Sequence, residues 1–207
     1  MTVFFDVDFT LLDTDAYFEG VQADLYRLDA TPQRVEETLE ELNASGYSFE
    51  AHLRLLGFPD ALVHSKTAEY EARMHDLDAF LLPGVVETVA AVAMRVPCHL
   101  LTFGFPPYQG RKVRGLRSLV SHVQESHFVW KDQSKGDFLQ ARGEQGGDIF
   151  VDDSPAHLLD VSQKAPWVRC VRAAWPKFLP KDHPGDGVLW ASIVNADELT
   201  RTILSAL

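Results

Sequence analysis

The stretch that most constrains the fold runs from Pro83 onward, where short apolar runs alternate with helical patterns. Pro83-Gly84 opens a helix with Val85, Val89, Val92 and Ala93 as its apolar positions. Cys98-His99-Leu100-Leu101-Thr102 follows as a strand, Gly104 and Pro106-Pro107 break the chain, and a basic helix is predicted over about 108–119. His127-Phe128-Val129-Trp130, Asp148 to Asp152 and Val168 to Val171 read as further strands, with helices starting near Ser134 and at Ser154-Pro155 between them. Pro176 to Gly187 reads as a loop, and Ile193-Val194 with a helix over 196–204 completes the chain. Strands that alternate with helices pair in parallel, because each crossover helix returns the chain across a sheet face. The expected architecture is therefore α/β: a Rossmann-like three-layer core with helices on both faces of a parallel sheet.

Val3-Phe4-Phe5 is one more strand, and after it the pattern turns wholly helical. Phe18, Val21, Leu25 and Leu28 share one helical face. Thr31-Pro32 is a helix start, with Thr as cap and Pro at the first position, and Gly46 lies beyond its end. Ser48 caps a third short helix, closed by Gly57 and Pro59, and a fourth runs over about 60–75 with Val63, Tyr70 and Met74 inward. Residues 14–82 thus form a small all-helical module.

Composition narrows the partners. The formal net charge of −11 over 207 residues argues against nucleic acid or anionic membrane, whose binding rests on positive charge. Cys98 and Cys170 stand alone in strand-like runs, as small buried thiols of a reducing compartment rather than a disulfide or zinc framework. No run approaches a membrane span, and the first residues show neither a basic region nor a long apolar stretch. The default expectation is a cytoplasmic protein, of an oligomeric state that these residues do not reveal.

Asp6-Val7-Asp8-Phe9-Thr10 leaves the first strand. Residues two apart on an extended chain share a face, so Asp6 and Asp8 start on the same side. Adjacent carboxylates repel unless a cation or proton separates them, which points to a hard divalent metal on oxygen ligands, Mg2+. The same residues also suit a solvated turn, and a bare D-x-D occurs in metal-binding glycosyltransferases. Sites in open α/β sheets lie outside the carboxyl ends of the strands. Collected there are Asp6, Asp8, Thr102 and Asp152-Asp153, with Lys135 added from the start of a helix.

The pieces D-V-D-F-T-L-L at 6–12, L-L-T at 100–102, Lys135 and I-F-V-D-D-S at 149–154 occur in the order found in the haloacid dehalogenase superfamily. This sequence resembles that superfamily's phosphatases and phosphotransferases to about residue 173. The resemblance implies a Mg2+-dependent hydrolase of a small phosphorylated metabolite, with 14–82 as an α-helical cap and 1–13 plus 83–207 as the core. It implies Asp6 as the nucleophile that becomes an aspartyl phosphate and Asp8 as general acid and base. Thr102 and Lys135 would hold phosphoryl oxygens. Mg2+ would lie on a carboxylate oxygen of Asp6, the backbone carbonyl of Asp8, and Asp153, with Asp152 behind them.

Other readings of the same residues stand beside these. Lys131 competes with Lys135, although Lys135-Gly136-x-Phe138-Leu139 is similar to the family's helix opening. Asp152-Asp153-Ser154-Pro155 also suits a helix N-cap. Arg111, Lys112, Arg114 and Arg117 read as a solvated helix face that could help to orient an anionic substrate, and the eight histidines, without H-x-x-x-H or other ligand spacing, are given no metal role. Phe9 stands where the family most often has Gly, and Phe103 where a small polar residue is common, which would give the phosphate an aromatic wall. Asp8 argues against carbon–halogen cleavage, which has no leaving alcohol to protonate. A phosphotransferase or mutase, and a binding protein without catalysis, are the alternatives. Tyr17, Phe18, Tyr47 and Phe49 suit either a pocket or the core of the cap.

Overall fold

Strand β1 (Val3–Phe5) lies inside a six-stranded, all-parallel sheet with β2 (Cys98–Phe103), β3 (Glu125–Val129), β4 (Ile149–Asp152), β5 (Arg169–Ala173) and β6 (Ala191–Ile193), in the order β3-β2-β1-β4-β5-β6. This computed structural model describes residues 1–144, 146–178 and 189–207, without the side chains of Asn43 and Ala44. The chain reverses its direction of growth across the sheet between β3 and β4, so the crevice of the fold opens at the carboxyl ends of β1, β2 and β4.

Period-two alternation divides the core. Val3, Phe5, Leu100, Val151 and Val171 face one cluster, and Phe4, Leu101, Phe150 and Cys170 the other. Helices α5 (Val85–Ala93) and α10 (Ala196–Ser205) cover the first face, and α8 (Lys135–Arg142) and α9 (Pro155–Lys164) the second. Ser134 and Asp137 form a reciprocal capping box that starts α8 at Lys135. Cys98 and Cys170 are free, buried, and on strands separated by β1 and β4.

Between β1 and α5 the chain forms α1 (Thr14–Tyr26), α2 (Pro32–Ser45), α3 (Phe49–Leu55) and α4 (Asp60–Arg73). The Thr31 and Ser48 hydroxyls accept from the N–H groups of Arg34 and Ala51, as the cap signals required. The apolar face of α1 is Tyr17, Val21 and Leu25, whereas Phe18 and Leu28 are half-buried. These helices share one continuous hydrophobic cluster with the Val3–Phe5 side of the sheet. Among the described residues no helix is long and apolar enough to cross a membrane.

Three expectations shift. The basic helix is two, α6 (Pro106–Gly115) and α7 (Arg117–Val120), broken at buried Leu116. Gly115 gives its carbonyl to the Leu77 N–H, and a Cβ there would collide with the Met74 carbonyl oxygen, so the close approach of the 74–77 segment ends the helix. Strand β3 starts at Glu125, not His127, because register with His99 extends pairing into polar residues at the sheet edge. Pro176–Phe178 is a 3-10 turn, and the remainder of the expected 176–187 loop falls outside the described residues.

Candidate active site

Asp6 extends the Phe4 side of β1, Asp152 extends the Phe150 side of β4, and Lys135 enters from α8 on that face. The Lys135 ammonium, wholly buried, donates at 2.6 Å both to Asp6 Oδ1 and to Asp152 Oδ2. Gly136 fixes this entry: its N–H bonds Asp160 Oδ2 at 2.8 Å, and a Cβ would lie 2.5 Å from the same oxygen. Lys131 is exposed, its ammonium 5.9 Å from the Trp130 ring centre, so the structure brings Lys135 and not Lys131 to the aspartates.

Asp153 stands beside this pair. The Thr10 hydroxyl accepts from the Asp153 N–H at 3.0 Å and lies 3.5 Å from its Oδ1, so the turn after β1 is tied to the end of β4. Asp6, Asp152 and Asp153 each place one carboxylate oxygen within 4.8 Å of the other two. Burial, opposed by Lys135 and supported by Asp152 and Asp8, pushes the Asp6 carboxyl up to about 6. Burial, with Asp152 and then Asp6, pushes Asp153 up to about 8. Asp152 goes the other way, because Lys135 and His157 outweigh its burial. Its oxygens are also engaged by the Ser154 N–H at 2.7 Å and His157 Nδ1 at 3.2 Å. Carboxylates crowded until two of them resist ionisation are a donor set that fits a divalent cation.

Asp8 turns elsewhere. The strand ends at Phe5, and beyond it the chain curls so that four N–H···O contacts close the 7–12 turn. The Asp8 carboxylate receives the Lys112 ammonium at 2.6 and 2.7 Å, Gln109 Nε2 at 3.1 Å and the Thr14 hydroxyl at 2.9 Å. Asp6 and Asp8 therefore share a strand end, where Asp8 helps to raise the Asp6 carboxyl, but they take different hydrogen-bond partners. Burial raises the Asp8 carboxyl, but these donors, Lys112 foremost, hold it below the usual carboxylate range. Lys112 is 1% exposed, which corrects its reading as part of a solvated face; Arg114 and Arg117 are exposed as expected, and Arg111 pairs with Glu71.

A pocket of about 330 Å3 opens on Asp8, walled by Phe18 and Tyr47 from the helical module and by Phe9, Phe103, Tyr108 and Trp130. Phe103 is the aromatic wall expected beside Thr102, and Phe18 and Tyr47 line the pocket while Phe49 stacks on Tyr70 instead. A larger cavity, about 480 Å3, lies between α1 and α4 beside Tyr17 and Met74. None of Asp6, Asp8, Lys112, Lys135, Asp152 and Asp153 lines it, whereas Asp8 and Lys112 line the smaller one. The Thr102 hydroxyl, two residues past the β1–β2 pairing of Phe5 with Leu100, is buried without a hydrogen-bond partner among the described residues. An orphaned buried hydroxyl costs about 1–3 kcal/mol, and an oxygen-rich ligand at this strand end would satisfy it.

Phe9 adopts the left-handed conformation, φ 58°, that the family's usual glycine takes without strain. Its ring meets Phe178 edge-on at 5.3 Å. Strain of about 1–2 kcal/mol and an aromatic contact worth about 0.5–1.5 kcal/mol nearly cancel. Phe9→Gly is therefore expected to change unfolding free energy by less than about 1 kcal/mol, as read by denaturant titration, while enlarging the pocket.

No family model matches the chain, and no curated protein does. Solved structures do match over nearly its full length. A haloacid dehalogenase-like hydrolase of Burkholderia xenovorans superposes with a TM-score of 0.70 at 18% identity, covering 96% of each chain. The chain has the haloacid dehalogenase-like fold. A 2-haloacid dehalogenase of Pseudomonas syringae shares that fold at 18% identity and a TM-score of 0.66, covering 99% of this chain and 97% of its own. The magnesium-bound HAD-hydrolase YfnB of Bacillus subtilis does so at 16% and 0.62, covering 98% and 97%. Within the haloacid dehalogenase-like fold, Asp6, Thr102, Lys135, Asp152 and Asp153 gather at one end of the sheet, as the motif order implied. Gln109, Thr14 and His157 join them without having been singled out, and Thr10 and Lys112 join them although neither had been given a place at the carboxylates. Of these, Thr10 carried a signal as the last residue of D-V-D-F-T, and Lys112 as a member of the basic run 111–117.

Proposed function

We propose that the protein is a Mg2+-dependent phosphomonoester hydrolase in which Asp6 is transiently phosphorylated. The observation that carries this reading is the Asp6–Asp152–Asp153 triangle around Lys135, with the unpartnered Thr102 hydroxyl on the neighbouring strand. Asp6 attacks phosphorus, the ester P–O bond breaks, and the leaving oxygen takes a proton through Asp8, which starts as a carboxylate and draws it from the Lys112 ammonium. Lys112, hydrogen-bonded to both Asp8 oxygens, is then a neutral amine beside the carboxylate until the second step returns its proton. Water then attacks phosphorus, yields its proton to the Asp8–Lys112 pair, and the P–Oδ bond to Asp6 breaks. Thr102 and Lys135 bind phosphoryl oxygens throughout. Held by Asp6, Asp153 and the Asp8 carbonyl, Mg2+ would screen nucleophile from phosphate and offset charge on the phosphoryl group. Residues 14–82 act as a lid, since Phe18 and Tyr47 close the pocket over Asp8 and limit water there.

Dehalogenation is the competing reading, because a dehalogenase shares the fold. Asp8 with its built cradle of Lys112, Gln109 and Thr14 favours phosphoryl transfer, where a leaving oxygen needs a proton. Assay of a panel of aryl, sugar and nucleotide phosphates for phosphate release, and of 2-haloacids for halide release, with Mg2+ or chelator, decides between them. Phosphate release that depends on Mg2+ is expected; halide release unaffected by chelator would overturn the proposal.

Two further outcomes follow. Lys112→Met should lower kcat/KM by about 100-fold or more, the usual worth of positioned acid–base chemistry, whereas a solvated lysine would leave it unchanged. The second concerns pH. Because the folded-state pKa values of Asp6 and Asp153 are raised to about 6 and 8, their contribution to stability is present below pH 4 and is lost as pH rises through those values. Mg2+ needs both as carboxylates, so its stabilisation should grow over the same window. At 100 times Kd it amounts to about 2.7 kcal/mol, or roughly 5–10 °C in Tm for a chain of this size. Thermal melts at pH 5 and pH 8.5 test this; a Mg2+ shift that is equal at both would contradict it.

A further inference from the structure

A second cluster of ligand-type side chains lies at the opposite end of the sheet. His99 is the second residue of β2, and Glu125 and His127 are the first and third of β3. Register pairs His99 with Glu125 across the strands, and the two-residue step brings His127 to the same face. Thr102 is three residues farther along β2, about 10 Å, so this cluster is separate from the Asp6 site.

His99 Nδ1 and His127 Nε2 are 3.1 Å apart; Glu125 Oε2 is 3.3 Å from His127 Nε2 and 3.8 Å from His99 Nδ1. Tetrahedral zinc with nitrogen and oxygen ligands at about 2.0–2.2 Å spaces those ligands by about 3.3–3.5 Å. A triangle with the observed sides has a point about 2.0 Å from all three atoms, which is a zinc–ligand distance. Hydrogen bonds alone serve this triangle poorly: an ionised Glu125 only accepts, and neutral rings meeting nitrogen to nitrogen share one proton between them. A single cation serves all three edges.

The surroundings suit a fixed site. The His99 ring packs edge-on against Phe4 at 5.4 Å, and the His127 ring lies 4.6 Å from that of Phe138. The Gln124 side chain hydrogen-bonds His99, and partners of this kind orient metal-ligating imidazoles. The His99 side chain is 6% exposed, that of His127 21% and that of Glu125 60%, so the cluster opens outward and leaves a fourth position for water.

We propose that His99, Glu125 and His127 form a second metal site, selective for a borderline divalent cation of the Zn2+ type, that clamps edge strand β3 to β2. The three donors are those of known His2Glu zinc sites, whereas the all-carboxylate Asp6 cluster suits a hard ion.

The test is a Zn2+ titration of the chelator-treated full chain against a chromogenic chelator, with Co2+ absorption as a second readout. One Zn2+ per chain is expected, with the intense visible Co2+ band of a tetrahedral site. Glu125→Gln, a surface change that spares the fold, and His127→Ala should each weaken Zn2+ binding by at least the roughly 10–100-fold that loss of an outer partner costs. The double variant Asp6→Asn/Asp153→Asn should bind Zn2+ as the parent does. Zn2+ affinity unchanged in both Glu125→Gln and His127→Ala, Zn2+ lost with the aspartates instead, or no stoichiometric Zn2+ would each overturn the proposal.

Discussion

Lys135→Met is expected to cost about 3–5 kcal/mol of stability, the usual penalty for removing one partner of a buried ion pair. For a chain of this length that is roughly 6–20 °C in Tm. The methionine fills the volume, so the loss is electrostatic: Asp6 and Asp152, both buried, would face each other without the ammonium that sits 2.6 Å from each. Asp6, already raised to about 6 with Lys135 present, would rise further and become the group that protonates. Its pKa then exceeds the unfolded value by more, so the deficit is smallest in acid and grows as pH rises towards the new folded value. Denaturant titration at pH 5 and pH 7.5 reads this directly. A second change, Asp6→Asn, should restore part of the lost stability, because it removes one of the stranded charges. An unchanged midpoint in Lys135→Met would mean that the lysine does not organise the site.

Asp6→Asn in the parent background carries the second large effect. An amide keeps the shape but is no nucleophile, so phosphate release should fall by about 10^4-fold or more, as when the attacking group of other covalent enzymes is removed. Stability should stay within about 1 kcal/mol, because Lys135 keeps Asp152 and one crowded carboxylate is gone. The two readouts together matter. Lost activity in a protein as stable as its parent assigns Asp6 to chemistry, whereas retained turnover would assign the attack to water or another group.

Much of this arrangement is legible in the sequence because it rests on local periodicity. The parallel sheet follows from apolar runs alternating with helical patterns, and Lys135 stands out through the resemblance of Lys135-Gly136-x-Phe138-Leu139 to the superfamily's helix opening. What escapes is what only tertiary docking decides. Lys112 and exposed Arg114 flank Val113 in one basic run, and the burial of Lys112 comes from the way α6 lies against Asp8. The partners of Asp8 are hidden because the strand stops three residues before it and Lys112, Gln109 and Thr14 come from helices far or near in the chain. His99, Glu125 and His127 show no ligand spacing along the chain, since strand register, not sequence distance, brings them together. The start of β3 is hidden for a related reason: Glu125 and Ser126 pair at a polar sheet edge, where apolar patterning is absent.

The most direct measurement of the central claim follows oxygen. A phosphomonoester that the protein hydrolyses is turned over in H2(18)O, and both the phosphate and the peptide containing Asp6 are weighed by mass spectrometry. If Asp6 is phosphorylated and water then attacks phosphorus, the label enters phosphate and the Asp6 peptide keeps its mass. If the intermediate is instead a carbon ester, as carbon–halogen chemistry requires, water attacks the carboxyl carbon and the label enters Asp6. Because direct attack of water would label phosphate in the same way, turnover is also quenched in acid. Labelled phosphate, an unlabelled Asp6 and, in the quenched sample, an Asp6 peptide heavier by one phosphoryl group are the expected result. Label in the Asp6 carboxylate, or labelled phosphate with no phosphorylated Asp6, would contradict the account.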